Sequence, residues 1–201
     1  MSTDPGIDPA TYQYYTERAP HYTLSFAQSH SPQLDAFLDL LPQGGNVLEL
    51  GCGGGQDSNH MRKRGFAIDA TDGIPAMVKK ANERFDLGAR QMRFDELDTQ
   101  EFYDGVWAHA CLLHCPTALL PSVLVAIHAT LKPGGLHFAS YKLGTGEGRD
   151  LLGRLHNFPR EEWLKDQYLA ARFELVEQRV YAGKGSDGTM RDWIDLVVRK
   201  T

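Results

Sequence analysis

The run Val47-Leu48-Glu49-Leu50-Gly51-Cys52-Gly53-Gly54-Gly55 constrains the fold more than any other part of the chain. An apolar strand that ends in a glycine-dense loop can bend sharply and let a ligand lie against its backbone, because glycine takes positive φ and presents no Cβ. Glu49 is the odd member. A carboxylate between Leu48 and Leu50, near the carboxyl end of an apolar strand, costs desolvation energy unless it is hydrogen-bonded or meets a polar ligand. The pattern points to a nucleoside ligand at the loop.

The segments downstream alternate in kind. Residues 57–64 read as a short helix ended by Gly65, and residues 66–71 as a second strand, which makes a strand-helix-strand unit. Residues 75–85 form a surface helix with Met77, Val78 and Ala81 inward and Pro75 in its first turn. A third strand is expected near residues 91–94 and a fourth at residues 105–110. Pro121 starts a helix in which Leu124, Ile127 and Leu131 recur at helical spacing, and Lys132-Pro133-Gly134-Gly135 stops it before a strand at residues 136–141. A helix at residues 161–171 and strands at residues 173–181 and 193–198 complete the chain. This order demands an α/β, Rossmann-like doubly wound sheet, parallel in its first part with helices on both faces. The last two strands have no room for a crossover helix, so they pair antiparallel or not at all. Residues 1–201 suit one domain, with a core at 32–201 and residues 1–31 as a lid over the ligand cleft or a partly disordered segment.

Charge and cysteine usage narrow the function classes. The chain has 21 basic against 26 acidic residues, a net charge of −5, so its field repels nucleic acid and anionic membrane. Arg62-Lys63-Arg64 is too short to be a nucleic-acid footprint. Cys52, Cys111 and Cys115 are odd in number and not spaced as a disulfide framework, which fits a reducing compartment. The first residues carry acids and tyrosines instead of a basic segment and an apolar stretch, so a cytoplasmic protein is expected. The most apolar stretch, 110–127, is broken by His114, Pro116 and Pro121 and is no membrane span. Cys111, His114 and Cys115 lie close in sequence, but no further ligands can be placed beside them, so no metal is assigned.

In an open parallel sheet the ligand binds at the carboxyl ends of the strands, where the order reverses. Asp72 falls immediately after the second strand, where a carboxylate can accept hydrogen bonds from the vicinal hydroxyls of a ribose. Asp69 competes for the role, and the strand-end rule favours Asp72. His114 follows the fourth strand on the cleft side and is the candidate general base, unless it caps or packs. Arg149 and Arg154 are either ligands for an anionic acceptor or ordinary surface charges.

Taken together, the Val47 to Gly55 run, Asp72, Tyr103-Asp104-Gly105-Val106-Trp107-Ala108 and Leu131-Lys132-Pro133-Gly134-Gly135 resemble the class I S-adenosylmethionine-dependent methyltransferases, over about residues 10–200. The likeness is to small-molecule members, among them the tellurite-resistance methyltransferases. It implies a seven-stranded sheet with an antiparallel C-terminal strand, S-adenosylmethionine as methyl donor, a small-molecule acceptor and release of S-adenosylhomocysteine. It also implies site roles. Glu49 and the backbone of Gly51, Cys52, Gly53 and Gly55 would approach the methionine part of the donor, and Asp72 with Gly73 the ribose. Phe94, Asp95 and Glu96 would border adenine, with Asp95 on its amino group. Ala108 and His109 would flank the sulfonium end; Tyr14, Tyr15 and Tyr22 look like the lid tyrosines, of which Tyr14 and Tyr22 would reach the ligand or pack within the lid. A nicotinamide-dependent oxidoreductase is the rival, although Gln56 stands where the dinucleotide fingerprint has its last glycine. A binding module without turnover is the other alternative.

Overall fold

The computed structural model describes residues 6–25 and 30–201, with side chains at 6–19 and 30–201. Two helices, α1 (Pro9–Ser25) and α2 (Leu34–Asp39), precede β1 (Asn46–Leu50). Then come α3 (Gln56–Lys63), β2 (Ala67–Asp72), α4 (Pro75–Phe85), β3 (Arg90–Gln91), β4 (Tyr103–Ala108), α5 (Leu120–Thr130) and β5 (Leu131–Lys142). A ribbon of β6 (Gly148–Arg149) and β7 (Leu155–His156) leads to α6 (Glu161–Ala170), β8 (Phe173–Lys184) and β9 (Met190–Lys200). The main sheet has seven strands in the order β3-β2-β1-β4-β5-β9-β8. Strands β1 to β5 run parallel, and β9 inserts antiparallel between β5 and β8.

Strand alternation sorts the core onto two faces. Leu48, Leu50, Val106 and Ala139 pack with α5 and α6 residues such as Leu124, Ile127 and Tyr168. Val47, Trp107 and Phe138 point the other way, onto Phe37, Leu38 and Met61 of α2 and α3. The chain winds outward from β1 in both directions, so β2 and β4 flank it and the carboxyl ends of all three frame one crevice.

The structure departs from the sequence expectations in places. The third strand is only two residues long, because Glu96 closes a capping box on the Arg93 backbone and turns residues 94–96 into a 3₁₀ turn. The fourth strand runs from Tyr103 to Ala108 instead of 105–110, and Ala110 beyond it takes a left-handed φ of 51°. Strand β5 begins at Leu131, ahead of the Lys-Pro-Gly-Gly segment, with a register shift against β4. The final hairpin is longer than expected, pairing from Phe173↔Lys200 to Lys184↔Met190. Helix α2 and the β6–β7 ribbon have no counterpart in the sequence reading.

Gly51 shows how closely the loop after β1 is packed: φ is +69°, and a Cβ there would lie 2.5 Å from Cys111 Cβ. Gly134 has a similar φ of +76° but nothing within 4 Å. A left-handed alanine costs about 1–2 kcal/mol at either position, and only Gly51→Ala adds a backbone-displacing clash. Thermal denaturation is expected to show a clearly larger fall in Tm for Gly51→Ala than for Gly134→Ala; equal shifts would contradict this packing.

Candidate active site

The loop after β1 is fastened to β2 by two hydrogen bonds, Cys52 N–H to Thr71 O at 2.8 Å and Gly53 N–H to Asp72 Oδ2 at 2.9 Å. The other Asp72 oxygen accepts from Ile74 N–H at 2.9 Å. Burial pushes the Asp72 carboxyl up to about 6 against the pull of these two donors. Asp72 lies in the wall of a cavity of about 660 Å³ at the carboxyl ends of β1, β2 and β4. Asp69 does not reach it. Its carboxylate accepts from Arg90 at 3.0 and 2.8 Å and from Tyr103 at 2.5 Å.

Two further acids share that end of the cavity. Glu49, 3% exposed, accepts a short hydrogen bond from Ser58 Oγ of α3. Burial first, and then the charges of Asp57 and Asp72, hold its carboxyl well above the usual range. Asp57 accepts from Ser31 N–H at 2.8 Å, Ser31 Oγ at 2.6 Å and Trp107 Nε1 at 3.0 Å. Ser31 Oγ also lies 3.0 Å from His109 Nδ1, which brings His109 into the wall. Gly51, Cys52, Gly53, Gly73 and Phe94 line the same space.

Other predicted site residues lie outside this wall. Gly55 is turned under α4, where a Cβ would stand 2.6 Å from Leu87. Ala108 is wholly buried in the sheet. Asp95 is held by Arg93 Nε at 3.0 Å, and Glu96 by the Arg93 backbone, and neither acid lines the cavity. Tyr14 packs 5.0 Å beneath the Arg154 guanidinium. The Tyr22 side chain lies outside the described residues.

Tyr15, one residue along α1, lines the cavity. Helical phase explains it: Thr11, Tyr15 and Ala19 recur every fourth residue on the face turned to the protein, a signal legible in the sequence. His114 lies in the cavity wall, but both of its nitrogens are engaged. Burial holds its pKa far below 6.5, so the neutral ring donates Nδ1–H to Leu155 O at 2.6 Å. Nε2 then accepts from Tyr15 O–H at 2.9 Å, and Tyr15 accepts in turn from Arg154 Nη1 at 2.8 Å.

Arg154 is no surface charge. It is 2% exposed and is held by Asp150, with Nε at 3.0 Å, and by Ser186 Oγ at 2.7 Å. Arg149 is exposed and pairs bidentately with Asp8 at 2.9 and 2.8 Å. The three thiols are buried and unbonded to one another. A cluster of His30, His60 and Asp35 has the residue types of a metal site, but its imidazoles stack 3.6 Å apart at 11°. A metal lies in the plane of each imidazole that binds it, and two rings stacked in this way share no such point.

A family model described as a methyltransferase domain matches residues 21–178. A ubiquinone biosynthesis O-methyltransferase of Xanthomonas axonopodis pv. citri is 32% identical over 108 residues, 50% of this chain and 44% of the relative. Hemagglutinin 1 of Eikenella corrodens is 24% identical over 145 residues, 67% of this chain and 47% of that protein. The chain thus spans somewhat under half the length of these curated relatives. Among solved structures, a 1,6-didemethyltoxoflavin-N1-methyltransferase of Burkholderia thailandensis superimposes with a TM-score of 0.76 at 21% identity. The match covers 96% of this chain and 88% of that one.

The Asp150–Arg154 pair tests the basic end of the site. Burial opposes the Asp150 charge, but the hydrogen bonds and charge of Arg154 prevail and hold the carboxyl at about 2. Its folded pKa is depressed, so the pair stabilises fully above the unfolded value near 4 and loses that contribution as pH falls toward 2. Asp150→Ala strands a buried guanidinium and is expected to cost about 3–5 kcal/mol at pH 7, read by chemical denaturation. A cost under about 1 kcal/mol, the size of an exposed pair, would contradict the geometry.

Proposed function

This chain belongs to the methyltransferase-domain family, and from that membership we propose that it transfers a methyl group from S-adenosylmethionine to a small-molecule acceptor, releasing S-adenosylhomocysteine. The observation that carries the proposal is the charge at the glycine-loop end of the cavity. Glu49, Asp57 and Asp72 are all buried there, while Arg93, which lines that side, is paired with Asp95, and Arg84 behind the glycine loop donates to Gly54 O. A ligand bearing a sulfonium and an ammonium relieves the repulsion among three carboxylates. The diphosphate of a dinucleotide would meet them as a like charge. Asp57 also occupies the first turn of α3, where dinucleotide folds place that diphosphate.

The residues present fit the methyl donor. Asp72, held in place by two backbone donors, keeps lone pairs for ribose hydroxyls. Ile74, Met77, Met92 and Phe94 give an apolar slot for a base. Glu49 and the backbone at Gly51 and Gly53 face the amino-acid part, with His109 beside it. The donor supplies an activated methyl carbon; the protein aligns the acceptor with it and excludes water. Helix α1 serves as the lid, latched by Tyr15 to His114 and Arg154. With both nitrogens engaged, His114 positions this lid. The Burkholderia structure is described with S-adenosylhomocysteine and 1,6-didemethyltoxoflavin bound, and the Xanthomonas relative is named for ubiquinone biosynthesis; both names support a small-molecule acceptor. Three unpaired thiols suit a cytoplasmic protein.

Incubation with S-adenosylmethionine and a panel of acceptors, with S-adenosylhomocysteine release read by mass spectrometry, tests turnover. Binding of S-adenosylhomocysteine is expected to be flat above pH 7 and to weaken as pH falls through about 6, where the Asp72 acceptor takes up a proton. Asp72→Asn should weaken binding about tenfold or more and flatten that limb, while Asp69→Asn leaves both unchanged. A greater loss from Asp69→Asn would refute the assignment.

A further inference from the structure

Lys142 ends β5 as the one charged residue of the run Leu136-His137-Phe138-Ala139-Ser140-Tyr141-Lys142, and it is 2% exposed. It lines the cavity on the β5 side, away from the three acids. Of the nearby acids, Asp150 is held by Arg154 at 3.0 Å and by His156 at 3.1 Å; Asp187 accepts from Thr189 N–H at 3.2 Å through Oδ1, and its buried Oδ2 has no hydrogen-bond partner among the described residues. Burial lowers the Lys142 pKa against the pull of Asp187 and Asp150, and among the described residues no acceptor hydrogen-bonds its ammonium and no carboxylate forms an ion pair with it. A buried ammonium left without an acceptor is costly, and the open side of this one is the cavity.

Its cross-strand partner is Trp193, whose ring centroid lies 5.4 Å from Lys142 Nζ and whose side chain lines the same space. Tyr181, opposite Trp193 on β8, adds a second aromatic wall. Aromatic walls beside a buried cation, which here lies over the Trp193 ring, complement a flat ring bearing an anionic substituent. Arg154 is held by Asp150, Ser186 and Tyr15 through four of its five N–H donors and so stiffens this wall.

We infer that the space bounded by Lys142, Trp193 and Tyr181 is the acceptor subsite and that it takes an aromatic ring carrying a carboxylate, with the carboxylate on the Lys142 ammonium. The inference rests on the proposed methyl transfer. It also gives the cavity a direction: the cationic donor is held at the acidic end and the anionic acceptor at the basic end, with the two reacting groups meeting between them.

Calorimetry on protein saturated with S-adenosylhomocysteine tests it, with benzoate, naphthoate and indole-carboxylate probes each set against its own carboxamide. At least one carboxylate is expected to bind about tenfold or more tightly than its amide, the size of a charge-assisted hydrogen bond, and Lys142→Met should abolish that preference while retaining S-adenosylhomocysteine binding. No preference in the wild-type protein overturns the inference whether or not the variant folds. A preference that survives Lys142→Met, or in Lys142→Gln should the first variant be unstable, overturns it as well. Loss of S-adenosylhomocysteine binding in a folded Lys142 variant would place the ammonium on the donor and sink the acceptor assignment alone, whereas failure of the wild-type protein to bind S-adenosylhomocysteine would sink the methyltransferase reading itself.

Discussion

The Asp72 carboxylate holds together the two loops that frame the cavity. One oxygen accepts from Gly53 of the glycine loop and the other from Ile74 at the start of α4, both at 2.9 Å. This linkage depends on the parallel pairing of β1 with β2, which brings Leu50 level with Thr71 and so the two strand ends together. It also depends on Gly51, whose left-handed φ and missing Cβ let the loop pass against Cys111. A carboxylate fixed by backbone donors is pre-organised, so a ligand hydroxyl meets an acceptor that needs little rearrangement. Burial raises its pKa to about 6, which leaves it ionised and accepting at neutral pH.

From that fixed point the cavity becomes steadily less acidic toward β5 and β9. Glu49, Asp57 and Asp72 stand at the glycine loop, and Lys142 and Arg154 at the far end. Neutral His114 lies between, tied by way of Tyr15 to the arginine. Low-dielectric walls strengthen such a gradient, and it orients a cation and an anion head to tail. On the proposed reading the fold contributes more than a pocket of suitable size: it would order two ligands by charge before any catalytic group is needed.

Much of this was legible in the sequence. The glycine loop, the buried Glu49, the strand-end position of Asp72 and the antiparallel ending all follow from local pattern and strand-end rules, and the sheet order agrees with them. The misses have physical causes. Tyr15 rather than Tyr14 meets His114 because helix phase, not composition, decides which of two adjacent tyrosines faces in. Asp95 is taken up by the neighbouring Arg93. Arg154 is buried by partners from distant segments, Tyr15 and Ser186, which no window around residue 154 contains. Lys142 carried the same kind of signal as Glu49, a charged residue closing an apolar strand. Its meaning came only from the pairing with Trp193 across β5 and β9.

Calorimetric titration with S-adenosylhomocysteine and with NAD tests the central claim most directly, since the two ligands share an adenosine and differ in the charge they bring to Glu49, Asp57 and Asp72. Saturable one-to-one binding of S-adenosylhomocysteine with no heat from NAD is the result this account predicts. Binding of NAD alone would contradict it.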